Sequence, residues 1–423
     1  MNTARRRVAA ALVVGASLVA GTPVVAHADA SPKPAQPAPA LYGTKDPAFD
    51  GVYRQSMAFL AQQAAGVEPA EEAVGWLLAQ QCDNGAFPSY RADTSAPCAA
   101  DLPLDSNATA LALQALRGVD SHEDRTAKAM ESAKGWLRGS QNKDGGWGYN
   151  PGFPSDANST ALAVGALAAT GEQPGEVKSA DGKTPYDALL TFAIPCSAKD
   201  GPGAFVSQPG EKGELKPNEY ATAGAVLGGL GKHLLSKGVK PYQEPSCEDA
   251  DKPAVERAAR NGAAHLVSAL GTRGHLLLPP MAGSEAPADQ PDIGGTADAV
   301  VALSAAGHGD KAAGAVAFLE KQGPAWAEDG GPAAYAKLVL AARASGADPR
   351  DFGGTDLVQA LNATGPKPAS TPEQRAAAKA ESGKKAQEDE NAGVGFWLTI
   401  GSFLLAGIGI GFLLSGRGRG KKK

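Results

Sequence analysis

The sequence is poor in aromatic residues, in cysteine and in β-branched runs. Of its 423 residues, 6% are aromatic and only four are cysteine. Strand signals are therefore scarce, whereas Ala, Leu and Val recur at helical spacing over residues 45–365. The composition disfavours a sheet-based fold and predicts an all-α body, larger than a single simple bundle.

Metal ligands and a basic surface are missing as well. There is no Cys-x-x-Cys pair, and the histidines show no ligand spacing. We therefore expect no metal and assign no cofactor. The formal net charge of −5 includes basic segments at both ends, so the body between them is acidic. An acidic body argues against nucleic acid and polyanionic substrates as partners.

The N-terminal end has the layout of an export signal. Arg5–Arg7 precede an apolar run, and small-residue cleavage sites follow at Ala28 and Ala30. Because the apolar run is too short to span a membrane, we predict a signal peptide over residues 1–28. A proline-rich linker, residues 29–44, leads into the body.

The C-terminal end has the layout of a membrane anchor. Val394–Leu414 contains no charged residue and is long enough for a membrane helix, and five cations follow it. The positive-inside rule keeps such cations in the cytoplasm. We therefore predict a stalk over 366–391, a single transmembrane helix over 392–416 and a basic cytoplasmic tail over 417–423. The body would then lie outside the cell.

The four cysteines fit that location. An even count in an oxidising compartment predicts two disulfides. Three connectivities are possible, and proximity in the sequence favours Cys82–Cys98 and Cys196–Cys247.

A repeat organises the body. Segments 75–90 and 135–150 share Gly-Trp-Leu, a glutamine, Asp-x-Gly and then an aromatic residue. Each is followed by a matching apolar segment, "DSNATALALQAL" and "DANSTALAVGAL". Weaker copies of one or the other segment lie at 218–230, 292–303 and 316–342, with a partial one at 54–66. Units of two helices each predict a closed or stacked helical array.

Each unit has a first helix with one apolar face and a second helix that is apolar on most of its circumference. Asp105, Asp156 and Asp292 stand where the second helix needs an N-cap. The second helix should therefore lie inside the array, buried on two sides. We expect Gly145 and Gly146 to end the first helix, and Trp147 to pack the loop between the two helices.

At these residues the chain resembles a known family. The pattern Gln-x-x-Asp-Gly-Gly-Trp-Gly is similar to the repeat of squalene/hopene cyclases and protein prenyltransferases. The resemblance implies an α/α toroid, with inner helices ringed by outer ones around a central cavity. Related toroids occur in complement-type thioester domains and in vitamin B12 carriers. The motif residues are Trp76, Trp136, Gln141, Asp144, Gly145, Gly146 and Trp147.

The catalytic motifs of these relatives are absent. The Asp-x-Asp-Asp acid of squalene-type cyclases is missing, and its nearest match, Asp249-Ala250-Asp251, lacks the third carboxylate. Asp-Asp-x-x-Asp and the thioester motif Cys-Gly-Glu-Gln are missing too. Prenyl transfer would need zinc ligands, and the cysteines are predicted to be structural. We therefore assign no catalytic residue from the sequence.

Acidic residues of the inner helices remain as candidates. A sugar-cleaving enzyme would need two carboxylates that flank one bond. Asp105, Asp156 and Asp292 would ring one mouth of the cavity, but capping explains all three. Glu219 and Asp298 lie within inner-helix segments and are the better acid candidates.

Two functions follow from these observations. The sequence favours a non-catalytic, membrane-tethered toroid that binds a small ligand, such as a corrinoid cofactor, or a partner protein. The alternative is a carbohydrate-active or terpenoid-cyclase-like enzyme on the same fold.

Overall fold

The computed structural model describes residues 40–119, 122–240, 243–249, 251–252, 254–279 and 290–369. The predicted signal peptide, the transmembrane helix and the basic tail lie outside these residues, as do most of the linker and the stalk. Within the described part of the chain, no helix is both long and apolar enough to cross a membrane.

Helices dominate the described residues, and the all-α prediction is confirmed. The α-helices are α1 (Pro47–Ala64), α2 (Glu71–Ala79), α3 (Ser106–Leu116), α4 (Glu123–Gly139), α5 (Ala157–Ala169), α6 (Pro185–Thr191), α7 (Glu219–Gly229), α8 (Val255–Leu270), α9 (Ile293–Ala306), α10 (Ala313–Gly330), α11 (Pro332–Ser345) and α12 (Leu357–Asn362). Two short antiparallel strands, β1 (Leu276–Leu277) and β2 (Pro291–Asp292), pair Leu276 with Asp292.

The odd-numbered helices form a closed ring. Along the chain α1, α3, α5, α7, α9 and α11 each contact the next, and α11 returns to contact α1. The even-numbered helices pack on neighbouring members of this ring; α8, for example, contacts α7 and α9. Ten of the eleven residues of α3 are buried, as expected for a helix with neighbours on two sides.

The inner helices point in the same direction. At one end of the ring, the first residue of an inner helix donates a hydrogen bond to the loop that precedes the following inner helix. At the opposite end, hydrogen bonds join the C-terminal ends of neighbouring inner helices. At the N-terminal ends they are Ser106 N–H to Tyr149 C=O (2.9 Å) and Ala157 N–H to Ser207 C=O (3.0 Å). At the C-terminal ends they are Gln63 Nε2 to Ala115 C=O (2.6 Å) and Arg117 Nε to Ala169 C=O (3.1 Å).

A threonine one turn into four of the inner helices explains the repeat. Its hydroxyl accepts a hydrogen bond from a buried backbone N–H of the preceding loop. Such a bond satisfies a buried backbone donor that has no partner in a helix or strand. The hydroxyls of Thr109, Thr222 and Thr296 also donate to the C=O of the capping residue, whereas that of Thr160 donates to the Trp147 C=O. The loop-to-threonine pairs are Phe87–Thr109 (2.9 Å), Trp147–Thr160 (3.1 Å), Phe205–Thr222 (2.9 Å) and Leu276–Thr296 (3.0 Å).

Trp147 is the buried centre of the loop between α4 and α5. Its side chain is fully buried, and its indole Nε1 donates to the Leu137 C=O at 2.8 Å. Gln141 Nε2 donates to the Gly145 C=O at 2.7 Å, and Asp144 Oδ1 accepts from the Gly146 N–H at 2.9 Å. These contacts fix the shape of the loop around the indole.

The two glycines have a different role from the one expected. Helix α4 ends at Gly139, before Gly145 and Gly146, so these glycines do not end it. Gly145 has a φ of +93°, a conformation that side chains with a Cβ rarely adopt. A Cβ on Gly146 would lie 2.8 Å from Ser155 and Thr160. The glycines therefore allow the loop to approach α5 closely.

Trp76 and Trp136 lie at the ends of their outer helices and are only half-buried. Trp76 stacks on Tyr90, with 6.5 Å between the ring centroids.

Both predicted disulfides are confirmed. Cys82 pairs with Cys98, and Cys196 pairs with Cys247, with Cα–Cα distances of 5.5 and 5.6 Å.

Replacing Trp147 by Ala should lower the free energy of unfolding by about 3–5 kcal/mol, because the substitution leaves a large cavity in a closed loop. Trp136→Ala should cost less, because Trp136 is half-buried. Denaturant unfolding of residues 40–369 would measure both variants. Equal losses of unfolding free energy in the two variants would show that the burial of the Trp147 indole does not determine its contribution to stability.

Candidate functional site

A central cavity of about 70 Å³ lies inside the ring. Every inner helix contributes to its lining, which brings together residues far apart in the sequence. Representatives of the six helices are Tyr53 (α1), Leu111 (α3), Asn158 (α5), Tyr220 (α7), Asp298 (α9) and Lys337 (α11).

The end of the cavity near the N-termini of the inner helices is polar. Lys337 of α11 and Asp298 of α9 form an ion pair with 2.5 Å between Nζ and Oδ2. The Lys337 ammonium also lies 5.5 Å from the centroid of the Tyr220 ring, within the range of a cation–π contact. Because Tyr220 lines the cavity and is 45% exposed, solvent reaches this end.

The middle of the cavity is apolar, and its other end is closed by a loop. Met57, Ala161, Ala223 and Val301 line the middle, and all four are buried. The closed end is lined by Lys232, His233 and Leu234, which follow α7. The cavity thus has a polar end and an apolar middle.

Burial changes the proton affinities of the polar end. Burial raises the pKa of Asp298 and outweighs the lowering effect of the Lys337 charge. Burial alone would lower the pKa of Lys337, but the negative charge of Asp298, with contributions from Tyr53 and Tyr220, raises it above its ordinary value. Lys337 therefore stays charged, while Asp298 keeps its proton to a higher pH than an exposed aspartic acid.

The three aspartates predicted as caps or mouth residues are N-caps. Asp105, Asp156 and Asp292 cap α3, α5 and α9 respectively. Their carboxylates accept from backbone N–H groups three residues on, at 2.9, 2.7 and 2.7 Å. They do not belong to the cavity lining. All three thus lie at the N-terminal ends of inner helices, outside the cavity lining.

Of the two remaining acid candidates, only Asp298 lines the cavity. Glu219 lies on α7 but faces the outer helix α8, where its Oε1 is 3.6 Å from His265 Nε2. The neighbouring His265 side chain lowers the pKa of Glu219. Asp249, in the nearest match to a cyclase acid motif, accepts from the N–H groups of Cys196 and Ser197. Asp249 thus supports the loop that carries the second disulfide.

Sequence reasoning missed Lys337, Tyr53 and Tyr220. Their signal is a polar residue inside an otherwise apolar inner helix, as for the lysine in "PAAYAKLVLAA". Among the residues that the structure describes, no group of three His, Cys, Asp or Glu side chains could hold a metal ion.

The chain shows partial similarity to known proteins. It is 33% identical over 150 residues to a drimenyl diphosphate synthase of Streptomyces showdoensis. The match covers 34% of this chain and 24% of the synthase, about a quarter of that relative's length. A solved structure of a protein from Actinoplanes aligns with 73% of this chain and 94% of its own, at 15% identity and a TM-score of 0.46. No family model matches the chain.

The similarity to the synthase corrects one expectation and supports another. The sequence favoured a body that binds without catalysis, and this expectation is wrong, because the similar protein is an enzyme. The closed helical ring and this partial similarity together support a terpenoid cyclase-like helical fold.

Proposed function

We propose that this protein is an enzyme that acts on an isoprenoid substrate in the central cavity, with Asp298 as its acid. The observation that carries the proposal is the position of Asp298. Among the described residues, it is the one carboxyl group that lines the cavity. The similar synthase suggests the substrate class, because its name gives a terpenoid diphosphate as its product.

The chemistry starts with protonation of an alkene. A diphosphate ester product keeps its diphosphate group, so its formation does not require that group to leave. The Asp298 proton adds to one alkene carbon, and the π electrons form the new C–H bond. The π electrons of the next alkene attack the cation left on the other carbon. The final cation transfers a proton to water, and Asp298 regains a proton from the solvent that reaches its end of the cavity. An acid for this step must hold its proton until the substrate is bound.

The neighbours of Asp298 fit that role. Once Asp298 has given up its proton, the Lys337 ammonium stabilises the carboxylate at hydrogen-bond distance. The rings of Tyr53 and Tyr220 offer negative faces to a carbocation. The buried apolar residues of the middle exclude water, which would quench a carbocation, from the part of the substrate that they enclose.

A sugar-cleaving enzyme is less well supported. Glycoside hydrolysis needs two carboxylates on either side of one bond. Among the described residues, Asp298 has no carboxyl partner in the cavity lining.

The location outside the cell, with a membrane anchor, is a separate proposal. It is supported by the signal-like and anchor-like ends and by two disulfides, which persist in oxidising compartments.

The raised pKa of Asp298 can be measured directly. An NMR titration of its carboxyl carbon should have a midpoint above the value of about 3.9 for an exposed aspartic acid. Lys337→Met should raise the midpoint further, because it removes the positive charge that lowers the Asp298 pKa. A midpoint at or below the ordinary value would contradict Asp298 as the acid.

Turnover tests the proposed function itself. The protein should convert one of geranyl, farnesyl or geranylgeranyl diphosphate into a cyclic product, detected by mass spectrometry. Asp298→Asn should reduce the rate by about 100-fold or more, because it removes the transferable proton. Asp105→Asn is the matched control, because Asn also caps a helix and Asp105 lies outside the cavity lining, so the rate should be unchanged.

Two results would overturn the proposal. One is the absence of turnover with all three diphosphates in the folded wild-type protein. The other is an Asp298→Asn variant that keeps full activity.

A further inference from the structure

The segment after α7 crosses the ring at the C-terminal ends of the inner helices. We call residues 232–239 the strap. Near one end, the Leu234 N–H donates to Gln114 Oε1 of α3 at 3.3 Å. At the other end, the Val239 N–H donates to the Ser304 C=O of α9 at 3.0 Å. The strap therefore spans the opening of the ring from α3 to α9.

The strap separates two spaces. Lys232, His233 and Leu234 line the central cavity. Lys232 also lines a surface groove of about 460 Å³, together with Leu230 and Val239. The position of Val239 beside this groove accounts for its exposure of 42%. The strap is thus the partition between the cavity and the groove.

The strap holds its own shape. The His233 N–H donates to Ser236 Oγ at 2.9 Å, and the Leu235 N–H donates to His233 Nδ1 at 3.3 Å. These hydrogen bonds lie within the strap, so they survive if it moves as a unit. The bond from Leu234 to Gln114 joins the strap to α3 and breaks in such a movement.

The cavity is small for the proposed substrate. Its volume of about 70 Å³ is well below the roughly 300–1,000 Å³ typical of ligand sites. Because neighbouring inner helices pack on one another around the whole ring, we expect the strap, which is joined to α3 by the Leu234 hydrogen bond, to be the boundary that yields.

We propose that the strap is a movable floor of the cavity, and that an elongated apolar ligand displaces it. The proposal rests on the proposed function for the class of ligand. When Gln114 releases Leu234, the cavity continues into the groove lined by Leu230 and Val239. The strap then determines the length of isoprenoid chain that the protein accepts.

A single introduced thiol can report this movement. All four cysteines are in disulfides, so a cysteine in place of Leu227 is the one free thiol. Leu227 lines the cavity next to the strap, because its C=O accepts from the Lys232 N–H at 2.9 Å. Access from the polar end is the same in every variant, so the change in its rate of modification by methyl methanethiosulfonate when the strap is loosened reports opening of the floor.

Gln114→Leu keeps a side chain of similar size and removes the hydrogen bond to the strap, together with the weaker one from Gln114 Nε2 to the Leu162 C=O of α5 at 3.4 Å. We expect the modification rate to rise about fivefold, as the loss of a neutral hydrogen bond predicts. Gln141→Leu is the matched control, because it removes the bond to Gly145 in a loop outside the cavity lining. This control should leave the rate unchanged.

An unchanged rate in Gln114→Leu would overturn the proposal. Equal acceleration of a cysteine placed at Ala336 would overturn it too. Ala336 is fully buried in α11 and does not line the cavity, so it reports opening of the whole fold. Because thiol modification does not depend on turnover, failure here leaves the proposed function standing. If the protein shows no turnover but its thiol responds as expected, the movable floor is supported and the proposed enzymatic function is refuted.

Discussion

The rest of the structure depends on one hydrogen-bonded unit, the threonine that joins a loop to the first turn of an inner helix. In four of the six inner helices its hydroxyl accepts from a buried N–H of the loop, and in three of these it also donates to the C=O of the capping residue. A loop arriving from an outer helix is thereby fixed to the N-terminus of the inner helix that it enters. Repetition of this unit places the N-terminal ends of successive inner helices side by side, so the ring closes with its helices parallel.

Parallel inner helices built from small residues explain the character of the cavity. A Cβ on Gly228 of α7 would lie 2.8 Å from Ala161 of α5, so these two helices are in close contact. Close packing leaves a narrow interior in which a charged side chain is costly unless it is paired. Asp298 and Lys337 satisfy this condition by pairing across α9 and α11. The same desolvation raises the pKa of Asp298, which links the packing of the ring to acid chemistry.

Local patterns were sufficient to predict the helices, the caps and the disulfides. The polar end of the cavity could not be predicted, because it depends on which faces of distant helices meet. Glu219 and Asp298 look alike in the sequence, yet one faces an outer helix and the other the cavity. Lys337 lies 39 residues from its partner Asp298, and no local pattern links them. The roles of Gly145 and Gly146 were predicted wrongly, because a glycine that ends a helix and a glycine in a tight loop cannot be distinguished from the sequence pattern.

The central claim is that an isoprenoid occupies the interior of the ring. Photo-cross-linking with a farnesyl diphosphate analogue that carries a diazirine on its terminal isoprene unit tests it most directly. Cross-links, mapped by peptide mass spectrometry, are expected on cavity residues such as Leu111, Ala223 and Val301, and competition with unlabelled farnesyl diphosphate should remove them. Cross-links confined to the outer surface, for example around Glu172 and Val177, would contradict it.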